Sequence, residues 1–376
     1  MVSSCNPTAQ IKDTSNEFHL PLMHGVKFVS GDTPLHIACK LGKVAIIKHL
    51  LKTGHKDALK VFNKLQELTF HIACSRSQAT VARLFVEWKK CFDCNALNTS
   101  EDSPLHMVCK KGDSNISFVG LLVNTMKCRT DVVDKVGNLP LHIVCQRRLI
   151  SQTAVKILST RLNGHQLALQ NSKGNTALHE LLIMPHNECS TMKYSHLQEI
   201  VQFLAGRMSN LAISINTGKQ PIHLACHHHR LNVVKYVCEH YISQSLELPP
   251  TVLHEACLND RKGVLLYLIE NFNLDVNIPN TDGDLPLHLT MHEKWGVKEA
   301  HTSCMLKIVN HTNNEGNTPL HELCSGSIVH NGYERSNVLR TLLKMSSISI
   351  SVQNNKGRTP LHCIYTAENL RLREDH

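Results

Sequence analysis

The chain is poor in aromatic residues: Phe, Tyr and Trp together make up 5% of its 376 residues. Any core must then be filled mainly by Leu, Ile, Val, Ala and Cys. No apolar run approaches the roughly 18–20 residues that cross a bilayer as a helix, which excludes helical membrane insertion. The opening residues MVSSCNPTAQIKDTSNEF carry neither a basic start nor an apolar segment, so no secretory signal is read there. Enzyme signatures are also missing. There is no G-x-x-x-x-G-K-[ST] loop to cradle a phosphate and no G-x-S-x-G nucleophile elbow. The His-Glu dipeptides at His179, His254, His292 and His321 are followed four residues on by Ile183, Leu258, Gly296 and Ser325, so none forms an H-E-x-x-H zinc site.

What is present begins with length. A single core stops growing at roughly 250–300 residues, so this chain holds several domains or an extended repetitive architecture. Hydrophobic residues at 42% and charged residues at 19% are ordinary values for a folded soluble chain. Fifteen cysteines is a high, odd number. Without a secretory signal they read as reduced thiols, which points to the cytoplasm, with the nucleus as the alternative. The net charge of +9 favours acidic partners without being a nucleic-acid signature.

One short phrase, centred on histidine, recurs ten times. It reads TPLHIAC at His36, LTFHIAC at His71, SPLHMVC at His106, LPLHIVC at His142 and TALHELL at His179. It continues as QPIHLAC at His223, TVLHEAC at His254, LPLHLTM at His288, TPLHELC at His321 and TPLHCIY at His362. Successive histidines are 35, 35, 36, 37, 44, 31, 34, 33 and 41 residues apart. The phrase makes sense as a helix start. Ser or Thr stands at the cap position in six copies, where its oxygen can accept from orphan backbone N–H groups. Pro follows in seven copies, at the first helical position, where its missing N–H costs nothing. Leu35, Ala38 and Cys39 then share one narrow apolar face, small enough for a second helix to approach closely. Second helices are legible from Val44, Ala79, Asn232 and Gly263. Each is too short to be stable alone in water, so stacking must hold it. Polar turns rich in Asn, Asp and Gly (VDKVGN, QNSKGN, PNTDGD, NNEGN, QNNKGR) separate the repeats, and these residues tolerate the positive φ of tight turns.

The ten registered copies resemble the ankyrin repeat, whose period is near 33 and whose signature is T-P-L-H-x-A. The resemblance implies an all-α solenoid of helix-turn-helix units with β-hairpin fingers. It covers about residues 31–376 as roughly ten repeats, the last incomplete, with residues 1–30 as an N-terminal tail or cap. Within 1–30, FHLPLMHGV is expected to dock on the first layer, and AENLRLREDH is expected to cap the far end. Repeats five and nine carry the insertions IMPHNECSTMKYS and SGSIVHNGYERS. The seventh phrase is reached through SLELPP without a Gly finger, and repeat two has Leu68 at the cap and Phe70 in place of leucine, which predicts a less sharply begun helix.

Seven copies contain H-x-x-C, and Cys91, Cys94, His106 and Cys109 together give a zinc-like spacing. The repeat register favours the other reading, in which these cysteines are small buried hydrophobes. The ten motif histidines read as structural hydrogen-bonders near each helix start. No cofactor is expected. The ends of the first helices carry Lys40, Arg76, Lys110, Lys111, Arg147, Arg148, the run His227, His228, His229 and Arg230, then Arg261 and Lys294. If they line the concave face that the family presents to partners, they form a basic stripe suited to an acidic protein; ordinary solvated helix ends are the alternative. The function read here is a non-catalytic, monomeric protein-binding scaffold or adaptor. Its alternative is the regulatory or targeting array of a larger enzyme, channel or immune receptor. Nucleic-acid binding is disfavoured, because no reading motif or interleaved aromatics accompany the charge.

Overall fold

The computed structural model describes residues 29–53, 56–76, 78–111, 116–147, 150–183, 194–228, 231–258, 262–272, 274–292, 309–325, 339–340, 342–344 and 347–364. The docking and capping segments expected at the two ends, and most of both insertions, lie outside these residues. The chain divides into two compact units, Met1–Gly218 and Lys219–His376.

In the first unit, first helices start at the recurring phrase: α1 (Pro34–Lys40), α3 (Thr69–Ser75), α5 (Pro104–Lys111), α7 (Pro140–Cys145) and α10 (Ala177–Ile183). Each packs on the next. The second layer contains α2 (Val44–Lys52), α4 (Ala79–Leu84), α6 (Ile116–Gly120, continued by a π-helical turn over Leu121–Met126), α8 (Gln152–Ser159) and α11 (Tyr194–Ala205). A short α9 (Gly164–Leu167) follows α8. The core lies between the two layers, where Leu35, Cys39, Ile47, Leu51, Leu105, Leu122, Leu141 and Cys145 are almost fully buried. The second unit repeats this plan with α12 (Pro221–His228), α14 (Val252–Leu258), α16 (Pro286–His292) and α17 (Pro319–Ser325) in one layer. Its other layer holds α13 (Leu231–Ser243) and α15 (Lys262–Phe272).

Repeat two is sharper than its sequence suggests. Leu68 holds the extended cap backbone, and α3 begins in register at Thr69. The phenylalanine at 70 is accommodated by neighbours, since Phe70, Phe85 and Phe92 form a cluster with centroids 5.0–5.8 Å apart. Aromatic contact and burial replace what a hydroxyl cap would contribute.

The fingers are tighter than hairpins. Among the described residues no strand is present. Most fingers are short loops pinned by one Asn or Asp side chain: Asn171 Oδ1 accepts from the N–H groups of Lys173 and Asn175, both at 3.0 Å, and the Asn171 N–H donates to the Asn175 carbonyl at 2.9 Å. Gly174 takes the left-handed conformation at φ 74°, and a Cβ there would meet the Asn216 nitrogen at 2.7 Å. Consecutive tips are joined by one backbone bond, as from Lys64 N–H to Ser30 O and from Thr99 N–H to Leu65 O. One backbone bond per step, joined at some steps by an Asn side chain such as Asn355 Nδ2 to the Asn314 carbonyl, links the fingers without building a β-ladder.

Candidate interaction surface and the joints that position it

The motif histidines are the joints of the array. In α1 the cap residue Thr33 is extended, and both its N–H (3.1 Å) and its hydroxyl (2.8 Å) meet His36 Nδ1. An Nδ1 that accepts an N–H cannot carry a proton, so the proton sits on Nε2. Nε2–H then donates to the Glu67 carbonyl of the next finger, at 3.0 Å. The same joint recurs at Ser103–His106 to Asn138, Thr176–His179 to Ile213 and Thr318–His321 to Arg358. Leu68–His71, Leu139–His142 and Leu285–His288 make it with the backbone N–H alone. Burial pushes His36, His106, His142 and His288 down, and takes His71, His179 and His223 to about 4. They are neutral, with both nitrogens engaged, which makes them fasteners and not general bases.

One joint departs from the rest. Where SLELPP replaces the Gly finger, His223 Nε2–H donates to the Thr251 hydroxyl at 2.8 Å instead of to a backbone carbonyl. That hydroxyl is thereby taken from its own repeat, and His254 Nδ1 is buried without a hydrogen-bond partner.

The helix-end cations fall into distinct environments. Lys40 is buried and bonded to Asp32 at 2.5 Å, with side chains 5% and 0% exposed. Breaking one partner of a pair so buried costs about 3–5 kcal/mol, so Lys40 is a structural residue and offers no free charge. Lys110 bridges Asp102 (2.5 Å) and Asp134 (3.4 Å), two finger carboxylates of successive repeats, with its side chain 43% exposed. Burial works against its charge, but these carboxylates hold the ammonium above its ordinary range. Arg147 is half-buried and donates to the Cys109 carbonyl at 2.7 Å. Arg76 and Lys111 are exposed. In the second unit His227 Nδ1 lies 2.7 Å from Glu255 and its ring stacks edge-on against His228. Lys219 bonds the other oxygen of Glu255 at 2.8 Å. Burial alone would raise the Glu255 pKa, yet His227 and Lys219 outweigh it and hold the carboxyl at about 2. Arg148, His229, Arg230, Arg261 and Lys294 lie outside the described residues.

The carboxylates Asp32, Asp102, Asp134 and Glu255 are the partners that reading the cations alone misses. Their signal is an Asp eight residues before a Lys, as in Asp32/Lys40 and Asp102/Lys110. In the second unit a groove of about 510 Å3 runs beside the fingers, lined by Asp282, Asp284, Glu315 and Glu322 with Lys356 and Arg358. Its lining holds more acids than bases, unlike the exposed helix ends of the first unit.

The zinc-like spacing is not assembled. His106 spends both nitrogens on the joint, Cys109 is buried in the stack, and Cys94 faces the loop of the next repeat. Burial lifts the Cys109 thiol to about 12, far from the thiolate a metal would need.

Comparison with known proteins agrees with this geometry. A family model of three ankyrin repeats matches residues 70–163 and 190–280, and a single ankyrin repeat model matches 30–60, together over half of the chain. The mouse B-cell lymphoma 3 protein homolog is 23% identical over 68% of this chain and 47% of its own length. Mouse Rabankyrin-5 is 30% identical over 33% of this chain and 11% of its own. An ankyrin repeat domain of known structure from Acinetobacter baumannii is 20% identical, covers 55% of this chain and 97% of that one, and superposes with a TM-score of 0.45. The chain thus spans less than half the length of these curated relatives. Ankyrin repeats are protein–protein interaction modules and are typically non-catalytic. With the repeat, its histidine joints and the family models in agreement, the chain belongs to the ankyrin-repeat family.

Proposed function

We propose that the chain is a non-catalytic adaptor that binds a protein partner through its helix ends and finger tips, an acidic segment of that partner facing the first unit. The observation that carries this is the exposure of Arg76 and Lys111 at the ends of first helices in successive repeats, beside the half-exposed Lys110. Lys40 drops out of that surface because Asp32 neutralises it. The test is to reverse Arg76 and Lys111 together (Arg76→Glu, Lys111→Glu) and compare partner capture with the unaltered chain at low and moderate salt. Loss of a partner whose capture also weakens with salt is the expected result, because rim charges act through screened attraction. Undiminished capture of every partner by a variant with an unchanged melting temperature would overturn it. The reading includes a monomer acting in the cytoplasm or nucleus, checked by sedimentation and by imaging a tagged chain. A second reading, in which the array regulates or targets a larger enzyme, channel or immune receptor, is supported by the greater length of the relatives. The sequence of the full transcript decides between them.

A further inference from the structure

Cys94 and Cys128 lie one repeat apart, in the loops that follow the second helices of successive repeats. Each thiol donates to the other loop: Cys94 Sγ to the Met126 carbonyl at 3.7 Å, and Cys128 Sγ to the Cys94 carbonyl at 3.6 Å. Neighbouring bonds hold the two loops in place. Arg129 N–H donates to Asn95 Oδ1 at 2.7 Å, and Cys128 N–H donates to the Leu122 carbonyl at 3.0 Å. The cysteines of the recurring phrase differ sharply from this pair. Cys39, Cys74, Cys109, Cys145, Cys226 and Cys257 are sealed between helices, and burial pushes their thiols up. Cys94 is half-buried, and the adjoining Cys128 thiol outweighs its burial and holds its own thiol below the ordinary range. The thiolate is the form that reacts with oxidants, and partial exposure and a stabilised anion coincide at this sulfur.

We propose that Cys94 and Cys128 form an oxidisable dithiol, a modification site that closes to a disulfide between the loops of successive repeats when the chain meets a peroxide. The Cys94 thiolate attacks one peroxide oxygen, the O–O bond breaks, and the departing hydroxide takes a proton to become water. Cys94 is then a sulfenic acid. Cys128 gives up its proton and attacks the Cys94 sulfur; the S–O bond breaks, the oxygen leaves as water, and the S–S bond forms. In total two thiols and one hydrogen peroxide give one disulfide and two waters, with two electrons passing from sulfur to oxygen. Cys128 is the resolving partner for a physical reason. Its thiol is pushed up first of all by the neighbouring Cys94 sulfur and then by burial. The first of these is relieved once Cys94 has become a neutral sulfenic acid.

The test uses the full, reduced chain, one equivalent of hydrogen peroxide, alkylation of the remaining thiols and digestion with trypsin. Cleavage after Lys90, Lys110, Lys127 and Arg129 isolates peptides 91–110 and 128–129. The expected product is these two peptides joined, two hydrogens lighter than their sum, with fragmentation placing the link at Cys94. Cys91→Ser is expected to keep the link, and Cys94→Ser and Cys128→Ser to abolish it. A link from Cys91 to Cys94, or oxidation of phrase cysteines while peptide 128–129 stays alkylated, would overturn the assignment.

Discussion

Two joints made from the same phrase differ in what receives them. At Thr176–His179 the cap hydroxyl and N–H both serve the imidazole of their own repeat, and the far nitrogen reaches a finger backbone. At Thr251–His254, entered through two prolines, the hydroxyl serves the preceding repeat and His254 Nδ1 has no partner. The histidine is equally buried in name at both places, but its contribution depends on the finger ahead of it. A repeat is therefore fastened by its neighbour's loop as much as by its own residues.

The largest way to break this comparison is acid, which strikes several joints at once. The imidazoles of His71, His179 and His223 are neutral in the folded chain with values of about 4, against 6.5 when unconstrained. The unfolded chain therefore binds more protons between these values. Stability is complete above about pH 6.5 and falls as the pH drops toward 4, by on the order of 3 kcal/mol for each of the three. Urea unfolding across that window checks this, and a midpoint that does not move would contradict the neutral, doubly bonded imidazoles. Next in size, His179→Leu strands the Thr176 N–H and the Ile213 carbonyl, and is expected to cost about 3 kcal/mol. His254→Leu, which removes one hydrogen bond and one unsatisfied nitrogen, should cost about 1 kcal/mol. Chemical denaturation of the two variants compares them directly, and equal costs would erase the distinction between the joints. The smallest effect separates the cap hydroxyls. Thr176→Val loses a cap, worth about 1 kcal/mol. Thr251→Val loses no cap of its own helix but strands the buried His223 Nε2–H, and should cost about 2 kcal/mol; hydrogen exchange around α12 would show where that loss falls.

Much of this was legible in the residues. The phrase located the starts of the described first helices, and its small apolar positions became the buried core, from Leu35 and Cys39 to Leu253 and Cys257. The structural role of the histidines followed from their position beside the cap. The pairing of charge was not legible from cations alone. Periodicity reports what must stack, whereas Lys40 and Lys110 are decided by which carboxylate their long side chains can reach eight residues back. Hairpin fingers were expected and five-residue side-chain-pinned loops were found, because Asn and Asp satisfy locally the N–H groups a ladder would have used. Cys94 and Cys128 stood in similar positions of adjacent repeats, a spacing that becomes informative only when the loops are seen to touch.

The finger tips and the histidines send their hydrogen bonds in opposite directions along the chain. Tip N–H groups point back to the preceding finger, as Ser172 does to Val136, while the Nε2–H groups of the joints point on to the following repeat, as His142 does to Asn175. Damage in such a row has an address. Losing a tip loosens the contact behind it, and losing a histidine loosens the one ahead. A lesion map of either unit would therefore be lopsided, its softened amides lying upstream for one class of substitution and downstream for the other.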